Sequence, residues 1–81
     1  MRQDHLSASL SVRERAFLSM TADVMFQTLG DSFQIHTRRA MGGGGADKDT
    51  VRELVCYLAQ FGVTRAWTAL QAMNIFLHDV A

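Results

Sequence analysis

The chain has 81 residues, 48% of them hydrophobic, with no proline and with eight basic residues balanced by eight acidic ones. That length makes one small domain with a modest core. The zero net charge excludes the basic footprint of a nucleic-acid binder, and no apolar run reaches membrane-spanning length, so neither nucleic acid nor membrane is an expected partner.

The lone cysteine, Cys56, excludes an internal disulfide and any CxxC redox or zinc chemistry. Its spacing from Val51, Leu54, Val55 and Leu58 places it just off an apolar helical face, as a partly buried and inert thiol. The three histidines, His5, His36 and His78, show no ligand spacing, so no metal is expected. The apolar content exceeds what a small monomer easily hides, which points to self-association. Residues 1–10 are polar and mixed, lack a signal-peptide core, and read as a flexible arm before a single domain over residues 11–81. The expected location is cytoplasmic.

Taken in order, Ser11-Val12-Arg13-Glu14 fits a capping box and opens a long helix. Val12, Ala16, Phe17, Leu18, Met20, Val24, Met25, Phe26 and Leu29 nearly encircle it, so it is buried on most sides by its own domain or by a neighbouring subunit. Asp23 and Gln27 are its polar interruptions, one turn apart, and Gly30 is the natural stop. A short helix over residues 32–41 follows, with Asp31 as N-cap and Gln34 reaching back to it. Phe33, His36, Thr37, Ala40 and Met41 share one face of that helix, so the imidazole sits in the apolar stripe and Arg38 and Arg39 stay on the wet side. The four glycines 42–45 end it as a flexible connector. They lack the Lys-Ser/Thr of a phosphate loop.

Asp47 caps the next helix, whose stripe is Val51, Leu54, Val55, Leu58 and Phe61. Gly62 interrupts the pattern and Thr64 recaps the chain. The last helix, over residues 65–78, carries Ala66, Leu70, Met73 and Leu77 on one side, with Trp67, Asn74 and Phe76 flanking. Ala66, Ala69 and Ala72 leave room for a close helix neighbour. Nothing alternates with period two. The expected fold is therefore all-α, a compact antiparallel domain of three to four helices.

The motif order adds a resemblance. Ser-Val-Arg-Glu-Arg-Ala opens the long helix, His-Thr-Arg-Arg-Ala-Met leads into the glycine turn, Val-Arg-Glu-Leu-Val begins the third helix, and Phe-Gly-Val-Thr-Arg-Ala-Trp-Thr-Ala-Leu follows. Over residues 10–77 this resembles the carboxymuconolactone decarboxylase family, which includes the alkylhydroperoxidase D-like proteins. The resemblance implies a helical fold assembling as trimers or hexamers, with a pocket around the motif histidine, here His36. It implies cofactor-free decarboxylation, a carbon being protonated as carbon dioxide leaves. The cysteine pair of the hydroperoxidase branch would fall at Leu29 and Ser32, which excludes disulfide chemistry. The glutamate usual four residues before the histidine is Ser32, and the acidic residue usual in the first helix falls near Ala16 or Phe17.

His36 is thus the candidate proton-transfer group, able to give or take a proton near neutrality. Ser32, one turn upstream, is placed to bond the imidazole or a ligand. Asp23 is a candidate second proton-transfer group, and Phe33, Gln27 and Trp67 are candidate substrate contacts. Two function classes stand against each other. One is a cofactor-free lyase or isomerase acting on a small organic acid or lactone. The other is a non-catalytic helical oligomer that binds or assembles. A pocket lined by His36 favours the first, and a filled core around it favours the second.

Overall fold

A computed structural model describes residues 9–78. They contain four α-helices and no strand: α1 (Val12–Phe26), α2 (Asp31–Met41), α3 (Lys48–Tyr57) and α4 (Val63–Leu77), with a 3-10 turn, Leu58–Phe61, joining α3 to α4. The arm expected over residues 1–10 lies almost wholly outside the described residues.

The helix starts follow local chemistry. Ser11 Oγ accepts from the Glu14 backbone N–H, and Glu14 Oε1 accepts from the Ser11 N–H at 2.8 Å, the expected capping box. The Ser11 backbone N–H, and after it the Ser11 side chain, favours the charged carboxylate, and the Glu14 pKa is lowered. Asp47 caps α3 by accepting from the backbone N–H and hydroxyl of Thr50 at 2.8 and 2.7 Å. Two other expected caps are corrected. Gly30 occupies the N-cap of α2 without a side-chain bond, and Asp31 is instead its first residue, where its charge still suits the helix dipole. Gly62 occupies the N-cap of α4, so Thr64 lies inside the helix and recaps nothing.

The stop of α1 differs as well. It ends at Gln27, which takes the left-handed conformation (φ 59°), three residues before Gly30. Gln27 Nε2 donates to the Val24 and Arg65 carbonyls at 2.7 and 3.2 Å. These bonds hold a non-glycine residue in a backbone region that usually disfavours it.

Three long-range bonds set the topology. Arg13 Nε donates to the Gly44 carbonyl at 2.8 Å, bringing the start of α1 to the end of α2. Arg52 Nε donates to Asn74 Oδ1 at 2.9 Å, bringing the middle of α3 to the last turn of α4. Gln27 and Arg65 join the end of α1 to the start of α4. The chain is therefore two antiparallel helix hairpins, α1–α2 and α3–α4, laid together. The glycine run is a bonded turn and not a flexible connector: Gly42, Gly44 and Ala46 N–H groups donate to the Arg38, Arg39 and Ala40 carbonyls. A Cβ at Gly44 would lie 2.5 Å from the Ala40 carbonyl oxygen and 3.0 Å from Arg13 Cα, so α1 crosses here only because the position lacks a side chain.

The core takes one stripe from each helix: Ala16, Met20 and Val24; Phe33 and Ala40; Val51 and Val55; Ala66, Ala69, Met73 and Leu77. Phe33 meets Phe76 edge to face, with centroids 5.7 Å apart. Burying each large side chain contributes about 1.5–3 kcal/mol. Several apolar residues stay outside. Leu18 and Phe26 are exposed on α1, so the described residues cover only one side of this helix. Phe61 leaves the expected stripe because the 3-10 turn rotates it outward, and Trp67 is 60% exposed. Cys56 is exposed and not partly buried. No described helix is long and apolar enough to cross a membrane.

Candidate active site

The site is built where α1 meets α2. Asp23 sits on the buried stripe of α1, only 5% exposed, one residue before Val24. A carboxylate there needs partners. It has three, drawn from two different segments. Thr28, in the link after α1, donates its hydroxyl to Asp23 Oδ1 at 2.6 Å. Ser32, in the first turn of α2, donates to the same oxygen at 2.9 Å. His36 Nδ1, one turn further, lies 2.7 Å from Oδ2. The i, i+4 spacing of Ser32 and His36 puts both on the face of α2 that meets α1. Gln27 makes the approach of Thr28 possible, since its left-handed turn folds the chain back until the Thr28 N–H donates to the Asp23 carbonyl at 2.9 Å.

Burial pushes the Asp23 pKa up, but the bonds from His36, Thr28 and Ser32 outweigh it, and the net pKa lies below the ordinary value. Asp23 is therefore ionised at neutral pH. An ionised carboxylate only accepts, so the His36 hydrogen is on Nδ1. Nε2 makes no hydrogen bond to another described residue. The imidazole side chain is 26% exposed.

His36 lines a half-open cleft of about 390 Å³ between the two helices. The other walls are Val12, Arg15, Ala16 and Ser19 from α1 and Arg39 from α2. Two of these described lining residues, Arg15 and Arg39, are basic and none is acidic. Arg15 also donates to the Leu10 carbonyl at 3.1 Å.

Among the six expected site residues, the fold brings Asp23, Ser32 and His36 into one cluster, of which His36 alone lines the cleft. Ser32 bonds Asp23 and not the imidazole. Phe33 is fully buried in the core, and Gln27 is spent on backbone carbonyls. Trp67 lines a separate apolar groove with Cys56, Ala59, Val63, Ala66 and Leu70. Reading the sequence missed Thr28, Arg15, Ser19 and Arg39. The signal for the α1 wall was present, since Val12, Arg15, Ala16 and Ser19 recur at i, i+3, i+4 and i+7. Arg39 stands three residues after His36. Thr28 had no signal, because it is a link residue whose role depends on the left-handed turn before it.

Among the described residues no group of three or more histidine, cysteine or acidic side chains gathers as a metal site. Compared with protein-family models, with curated proteins and with solved structures, the chain matches none.

Proposed function

We propose that this chain is a cofactor-free lyase or isomerase of the carboxymuconolactone decarboxylase type, moving a proton on a small organic acid or lactone through His36. The observation that carries this reading is the 2.7 Å Asp23–His36 contact at the wall of an arginine-lined cleft. Asp23 holds the tautomer and stabilises the imidazolium that forms when Nε2 takes a proton from an acidic C–H. The proton returns to the same or a neighbouring carbon, or, starting from imidazolium, goes to the carbon that carbon dioxide leaves. Arg39, on the cleft wall, holds the substrate carboxylate. A positioned acid–base group of this kind contributes ~10²–10⁴-fold.

The test is a panel of small carboxylates and lactones in deuterated water, followed by proton NMR for C–H exchange and for decarboxylation. The wild type is expected to act on at least one, and His36→Gln to lose ~10²-fold or more while keeping its melting temperature. A panel that leaves the His36 ring resonances unmoved would overturn the reading.

A second reading, a non-catalytic assembly protein of the same fold, is favoured by uncovered apolar side chains. Phe26 is 79% exposed, and Val63, Trp67, Phe61 and Ile75 are also open. On either reading the chain associates with itself, as a trimer or hexamer ahead of a dimer. Light scattering that returned 9.0 kDa, the monomer mass, would rule that out.

A further inference from the structure

We infer that the hydroxyls of Thr28 and Ser32 act together as a clamp on Asp23 Oδ1, and that this clamp selects the ring tautomer of His36. For catalysis the inference rests on the proton-transfer reading of His36, but the clamp itself stands on the cluster alone. A free carboxylate offers two equivalent oxygens and rotates between them. Here Oδ1 receives two donors, at 2.6 and 2.9 Å, from opposite ends of the α1–α2 link, while Oδ2 receives only the imidazole. Both donors are neutral and neither lines the cleft. With Oδ1 filled, Oδ2 faces Nδ1, and the ring keeps its hydrogen there. In water a neutral imidazole is free to choose either nitrogen, and which one is protonated follows the bond the other makes. Thr28 and Ser32 are thus positioning residues, acting on the cleft through Asp23 and then His36.

The placement of Thr28 supports the same conclusion. Its backbone N–H and its hydroxyl both bind Asp23, the first to the carbonyl at 2.9 Å and the second to the carboxylate. The residue before it adopts a left-handed backbone. A link made only to join two helices needs none of this.

The experiment reads the ring nitrogens directly, by two-bond proton–nitrogen correlation of His36 in the full chain above its titration. The wild type is expected to show the single Nδ1–H pattern. Thr28→Val keeps the shape and removes the donor, and Ser32→Ala removes the other. Each is expected to lose the single pattern and show both tautomers, whereas Thr28→Ser restores the wild-type spectrum. Packing alone would give the reverse, with valine tolerated and serine not. A wild-type ring carrying its hydrogen on Nε2, or folded Thr28→Val and Ser32→Ala proteins with unchanged ring spectra, would overturn the clamp. Should Thr28→Val fail to fold, Ser32→Ala decides alone. With a turned-over substrate, both variants are expected to lower kcat and leave KM in place. A clamp confirmed by the spectra in a protein that turns over nothing would sink only the catalytic reading.

Discussion

The two hairpins solve opposite problems with the same helices. The α1–α2 hairpin buries a carboxylate and answers it with three side chains, then closes its far end with Arg13 on a glycine turn. The α3–α4 hairpin has one cross-link of polar side chains, Arg52 to Asn74 at its rim, and turns Phe61, Val63 and Trp67 outward. A buried charge tolerates no missing partner, so the first hairpin is specified group by group. An apolar face asks only for area, and the second leaves part of its own exposed. The first hairpin also leaves Leu18 and Phe26 exposed, so the buried charge, more than the uncovered apolar surface, sets the two apart.

The strongest way to break this contrast is to remove its centre. Asp23→Ala leaves Nδ1 of His36 and two hydroxyls without their acceptor, and it should cost about 3 kcal/mol. In a domain of this size that is a fall in Tm of roughly 15 °C. Arg52→Ala, which cuts the exposed bond of the other hairpin, should cost less than about 0.5 kcal/mol. Equal losses in thermal melts would show that the two hairpins are held together in the same way.

Trp67→Ser tests the other half. If the proposed self-association uses this face, a large aromatic there contributes about 2 kcal/mol, and association should weaken roughly thirtyfold. The change should be visible by light scattering, with the His36 ring spectrum unaltered. A moved ring spectrum would show that the two hairpins are coupled.

Acid gives a graded version of the first test. The folded pKa of Asp23 is depressed, because its hydrogen bonds outweigh its burial. Its contribution to stability is therefore complete above the unfolded carboxylate pKa of ~3.9 and is lost as pH falls through the lower folded value. Asp47 and Glu14 are depressed too, through the Thr50 and Ser11 bonds, and act in the same direction from exposed positions. Comparing the wild type with Asp23→Asn isolates the buried group. The variant should show a flatter fall of Tm below that range, and parallel curves would mean that Asp23 contributes nothing to acid sensitivity.

One further effect has the opposite sign. Thr37, one residue after His36, is fully buried, and its hydroxyl has no partner among the described residues. Thr37→Val keeps the shape and removes an unpaired polar atom, so stability should rise by about 1 kcal/mol. A loss in chemical denaturation would reveal a bonded hydroxyl.

Much of this protein is legible in its residue order. The capping box at Ser11 and Glu14, the Asp47 cap, the glycine stop of α2 and the core stripe of Val51, Val55 and Leu58 all rest on spacing within one helix or its ends. Less legible are Asp31, displaced from the cap by Gly30, and Gln27, which ends α1 early. In both places Gly30 competes with a polar neighbour for one role in the turn. At Gln27 the outcome depends on packing against α4, through the bond to Arg65. Trp67 and Phe61 read as core or pocket from their size, yet Phe61 ends the 3-10 turn exposed and Trp67 stands one residue off the buried α4 stripe of Ala66, Ala69, Met73 and Leu77.

Local pattern is enough to establish that the chain is helical, roughly where each helix begins, and that His36 lies near the apolar stripe with Ser32 one turn before it. These properties depend on caps and a 3.6-residue period, which act over a few residues. Helix packing selects Asp23, thirteen positions away, as the carboxylate that meets His36, and brings in Thr28 to complete it. It also places Arg15 and Arg39 on the walls of one cleft. Those facts depend on the crossing of two helices and on one left-handed residue between them, and no periodicity within either helix encodes where its neighbour will lie.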